Sequence, residues 1–122
     1  MIRGGLIAVL VAIIGLQAAP AFAHAQLVEA SPRVGNSVPS SPSEIRLTFS
    51  EAVEPRLSGV EVTDEAGRRV GTGPANTAAG NPAVLVVRFS APLPAGTYRV
   101  TWHVVSVDAH RTQGSFSFQV GP

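Results

Sequence analysis

Proline and glycine cut this chain into short segments, ten and twelve of them in 122 residues, and the segments between the cuts alternate polar and apolar side chains. A period of two puts every second side chain on one face, which is the pattern of a half-buried strand. Glu44-Ile45-Arg46-Leu47-Thr48-Phe49-Ser50 shows it most plainly, with Ile45, Leu47 and Phe49 turned inward. Further strands are expected at Gln26 to Ala30, Leu57 to Asp64, Ala83 to Phe89, Thr97 to Val107 and Gly114 to Val120. In the longest of these, Tyr98, Val100, Trp102 and Val104 share a face. Ser31 to Pro42 reads as connection, because proline lacks an N–H and fixes φ, and the small residues of Gly71 to Pro82 read the same way. The pattern predicts one all-β domain, an immunoglobulin-like Greek-key barrel or sandwich of about seven strands. Cysteine is absent, so the core alone must hold it together.

Hydrophobic residues crowd the start, making up 17 of the first 23. Arg3, the apolar run Leu6 to Leu16 and the small-residue close Ala21-Phe22-Ala23 have the layout of a secretory signal peptide cut after Ala23. A membrane anchor is the alternative, but a run of about 11 residues falls short of the roughly 20 that cross a bilayer. The expected mature chain, His24 to Pro122, is exported to a periplasmic or other cell-envelope space and has no membrane span. It carries eight arginines against eight acidic residues. No basic stripe stands out, so a nucleic-acid partner is not expected. No phosphate loop leads into a helix and no serine sits in a nucleophile elbow, so hydrolytic catalysis has no support either.

The histidines carry the chemistry. Cleavage after Ala23 would give His24 both an imidazole and a free α-amine, two nitrogens able to chelate one metal ion. Their reference pKa values, roughly 6.5 and 7.7–8.0, let a metal displace both protons near neutral pH. Asp108-Ala109-His110 adds a carboxylate and an imidazole, which an extended segment would put on the same side. A polar surface turn is the plain alternative for that tripeptide. Taken together, the donors suit a tetragonal nitrogen and oxygen site for Cu(II), with Zn(II) a tetrahedral competitor. Cu(I) prefers sulfur, and the only methionine is Met1. His103 falls on the strand face opposite Trp102, with Arg99 and Thr101, and is expected to be a surface residue.

His24-Ala25-Gln26-Leu27-Val28, Leu47-Thr48-Phe49-Ser50-Glu51, and Tyr98 to His110 followed by Gly114-Ser115-Phe116-Ser117-Phe118 resemble the CopC family of periplasmic copper-binding, copper-resistance proteins. That resemblance implies an immunoglobulin-like β-barrel binding one Cu(II) per chain through His24, Asp108 and His110. It also implies a supporting role for Glu51, holding the N-terminal amine by a hydrogen bond beside the metal. Many members carry a methionine-rich loop with a histidine for Cu(I), and Ala66 to Gly80 has neither residue. The chain is thus similar to the Cu(II)-only type, a monomer that sequesters copper or hands it to a membrane importer of the CopD type or to another copper protein. Two other classes stay open on sequence alone. One is an oxidative copper enzyme, since lytic polysaccharide monooxygenases also chelate copper through an N-terminal histidine; the other is an immunoglobulin-like interaction module whose histidines are incidental.

Overall fold

The computed structural model describes residues 24–121; the segment read as a signal peptide, residues 1–23, and Pro122 lie outside it. Eight strands form two four-stranded sheets. They are β1 (Leu27–Ser31), β2 (Ser37–Val38), β3 (Glu44–Phe49), β4 (Gly59–Thr63), β5 (Asn76–Ala78), β6 (Asn81–Arg88), β7 (Gly96–Val105) and β8 (Arg111–Val120). One sheet has the order β1-β3-β6-β5 and the other β2-β8-β7-β4. The only helix among the described residues is a single 3-10 turn, Pro55–Leu57. No helix there is long and apolar enough to cross a membrane.

The alternation seen in sequence becomes the core. Ile45, Leu47 and Phe49 of β3 are buried, as are Tyr98, Val100, Trp102 and Val104 of β7. Phe116, Phe118 and Val120 of β8 join them. Phe49 and Trp102 meet edge to face across the two sheets, with ring centroids 5.2 Å apart. Such a pair contributes about 0.5–1.5 kcal/mol beyond the area it buries. Tyr98 stacks on Phe118 and donates its hydroxyl to the carbonyl of Pro94 at 2.6 Å, so the one polar atom of that buried ring is satisfied.

Two strands lie where connection was expected. Ser37–Val38 pairs in parallel with Gln119 and Val120, and Asn76–Ala78 pairs with β6. Neither segment alternates over a useful length, and each is extended because its partner's edge offers hydrogen bonds, a tertiary cause that a two- or three-residue segment does not display in its own sequence. The last strand also begins at Arg111, earlier than the expected Gly114, because ten residues of β8 pair in continuous register with β7.

Candidate metal centre

The site is built at one end of the sandwich, where the β7–β8 hairpin turns and the chain approaches β1. The hairpin has a three-residue loop, Val107-Asp108-Ala109, closed by a hydrogen bond from Ser106 N–H to the His110 carbonyl at 2.9 Å. Within it Ala109 N–H donates to the Ser106 carbonyl at 2.8 Å, and Ala109 sits at φ 73°. A type I turn followed by a left-handed residue is a common way to close such a loop. Alanine at that position carries a steric cost that glycine would not.

This corrects one expectation from sequence. Asp108 and His110 do not lie on an extended segment; they flank a left-handed residue in a turn. The turn still brings them together, with His110 Nδ1 3.4 Å from Asp108 Oδ1 and both side chains about half exposed. The Asp108 carboxyl is held below the usual carboxylate range, chiefly by the hydrogen bond it accepts from the Ser106 hydroxyl, with desolvation opposing and His110 adding to the effect. The carboxylate form, the one that binds metal, is therefore the favoured one.

The other end of the chain is fastened beside this turn. Ala25 is fully buried, and its carbonyl accepts a hydrogen bond from Thr112 Oγ1 at 2.7 Å. Gln26 N–H donates to Ser50 Oγ at 2.8 Å, and Ser50 N–H donates back to the Gln26 carbonyl at 2.8 Å. Thr112 of β8 lies opposite Val104, two positions beyond His110, so the strand that begins directly after His110 also holds the residue after His24. The rings of His24 and His110 end up 4.9 Å apart between centroids, edge to face. His24, Asp108 and His110 are thus neighbours, linked pairwise through His110. Among the described residues, however, no three histidine or acidic side chains already surround a common point as a finished coordination shell.

Glu51 is half-buried in the segment after β3. That segment is strapped to the hairpin, since Val53 bridges Ser106 and Val107 N–H donates to the Ala52 carbonyl at 3.1 Å. Glu51 is placed at the same end of the sandwich as the histidines; among the described residues it makes no hydrogen bond or ion pair with any of the three. His103 is elsewhere. It is exposed on β7 opposite Gly59 of β4, and its ring covers that glycine so closely that a Cβ there would lie 2.6 Å from it. A surface position was expected, and packing over an edge-strand glycine gives it a physical reason.

Two residues with a part in this arrangement went unseen in the sequence. Ser106 falls inside the expected strand Thr97 to Val107 and Thr112 ahead of the one expected from Gly114, and the hydroxyls of the two hold Asp108 and Ala25. A serine at the first position of a type I turn was the available signal for the former. Nothing local signals the latter, because its partner lies at the far end of the chain.

Comparison with known proteins identifies the family. The CopC domain model matches residues 27–121, beginning just after the fastened segment that carries His24. Copper resistance protein C of Xanthomonas campestris pv. juglandis is 42% identical over 112 residues, 86% of each chain. Protein YobA of Escherichia coli K12 is 39% identical over 99 residues, 81% of this chain and 80% of its own. Among solved structures, CopC from Methylosinus trichosporium OB3b superimposes with a TM-score of 0.76 at 34% identity, covering 81% of this chain and 95% of that one. PcoC, a methionine-rich copper resistance protein from Escherichia coli, gives 0.72 at 33% identity, covering 80% and 99%. The match takes in nearly the whole described domain, and the chain belongs to the CopC family, whose members are copper-binding resistance proteins and not enzymes.

Proposed function

We propose that the protein is exported, is processed to begin at His24, and captures one Cu(II) ion per chain in the periplasm or an equivalent cell-envelope space. The ligands are the α-amine and imidazole of His24, the imidazole of His110 and the carboxylate of Asp108. Glu51, at the same end of the sandwich, supports the amine. The observation that carries this reading is the meeting of His24 and His110, from opposite ends of the chain, with Asp108 against His110. Three nitrogens and one carboxylate oxygen match the tetragonal preference of Cu(II). The exposed position of all three residues leaves an ion free to enter and leave, as suits a carrier that sequesters copper or yields it to a membrane importer of the CopD type or another copper protein.

The choice of oxidation state rests on sulfur. The relative of known structure from Escherichia coli is described as methionine-rich, whereas this chain has only Met1. Thioether is the donor that Cu(I) seeks, and a chain processed at His24 retains none. Titration of the exported protein, its start verified by intact mass, is expected to show one tight equivalent of Cu(II) and no tight Cu(I). Tight Cu(I) binding, or a Cu(II) equivalent unaffected by His110→Ala, would contradict the assignment.

A further inference from the structure

Two of the proposed ligands, Asp108 and His110, belong to an exposed turn, and exposed side chains there have rotamer freedom to lose before they can grip an ion. One buried group removes much of that freedom. Ser106 is 1% exposed, the only buried polar or charged side chain among the described residues, and it sits at the base of the turn. A buried hydroxyl is stable there only with partners. Its oxygen accepts the His110 backbone N–H at 3.2 Å, and its acceptors include the Asp108 carboxylate and, farther off at 3.4 Å, the His110 carbonyl. The charged and nearer acceptor takes the proton. One hydroxyl therefore ties the Asp108 side chain and the His110 backbone to the same buried point, itself fastened across the loop by the Ser106 N–H to the His110 carbonyl and bridged to Val53.

We infer that Ser106 is the positioning residue of the copper site, setting Asp108 and His110 in their binding geometry before the ion arrives. This rests on the reading of His24, Asp108 and His110 as the ligands. Ser106 does not touch the ion. It orients a ligand that does, and outer-shell partners of this kind are worth roughly ten- to a hundred-fold in metal affinity.

The test uses the exported protein and Cu(II) in competition with a chelator of known affinity. Ser106→Ala is expected to lose roughly ten- to a hundred-fold in affinity and to change the electron spin resonance spectrum of the bound ion. In an Asp108→Ala background the same substitution should cost less, since the side chain that the hydroxyl holds is gone and only its tie to the His110 backbone remains. The isosteric pair Ser106→Thr and Ser106→Val removes the packing question: both add the same bulk, and only the threonine variant should keep copper affinity and spectrum. Thermal unfolding of the metal-free proteins reports folding separately. If wild type binds tightly and Ser106→Ala binds equally with an unchanged spectrum, or if the loss is as large without Asp108, or if the threonine and valine variants behave alike, the positioning role is wrong while the ligand assignment stands. A wild-type protein without a tight Cu(II) site overturns both.

Discussion

One extra residue ahead of His24 is expected to lower Cu(II) affinity at least about a hundred-fold, more than the loss of a typical outer-shell partner. The physical reason is the loss of one donor and the chelate it closes. An α-amine has a lone pair that a metal can claim once its proton leaves, at a reference pKa of roughly 7.7–8.0. The same nitrogen in a peptide bond has its lone pair delocalised into the carbonyl. His24 would then offer only its imidazole, and the chelate of amine and imidazole on one residue would be gone. The fold should not change, because Ala25 and Gln26 are held by Thr112 and Ser50 through main-chain groups that the extension leaves in place. A competition titration comparing the protein that begins at His24 with one bearing an additional alanine checks this. Equal affinities would mean that the amine is not a ligand.

Gly114→Ala is expected to destabilise the domain clearly, although it adds a single methyl group. Gly114 pairs with Trp102 across β7 and β8 on the inward face. A Cβ at that position would lie 2.6 Å from the indole Cζ2 and 3.0 Å from Cε2. The indole cannot swing away, since it is 7% exposed and packed edge to face on Phe49. Elsewhere an alanine replacing glycine at a compatible backbone angle stabilises by about 0.4–1 kcal/mol through the unfolded chain. Here overpacking, about 1–3 kcal/mol, wins. For a domain of this size each kcal/mol moves Tm by about 4–8 °C, so thermal unfolding should show a clear fall. Trp102→Phe, a smaller ring, should by itself cost stability, yet Gly114→Ala should cost less on top of it than in wild type. An undiminished cost would remove the indole as the cause.

What the sequence makes legible and what it hides follow from the range of the interactions. Ile45, Leu47 and Phe49, and the face of Tyr98, Val100, Trp102 and Val104, are readable because burial repeats every second residue along one strand. The two shortest strands are not, because Ser37–Val38 and Asn76–Ala78 are extended by their neighbours' edges. The turn at Asp108 is disguised by Ala109, which takes a left-handed conformation where glycine would have announced it. The candidate ligands are readable as residue types, and through a resemblance that extends to their positions. Their supports are less so: Ser106 acts within a turn whose form had to be seen, and Thr112 meets Ala25 only after the whole sandwich has closed. Glu51 follows β3 in the segment that is strapped to the β7–β8 turn.

The most direct measurement is the electron spin resonance spectrum of the exported protein, shown by intact mass to begin at His24 and loaded with one equivalent of Cu(II). A single tetragonal species with nitrogen hyperfine structure from three nitrogens and oxygen completing the plane is expected, and it should change when either His24 or Asp108 is replaced by alanine. A spectrum typical of hydrated copper, or one that neither substitution alters, would contradict a Cu(II) site made of His24, Asp108 and His110.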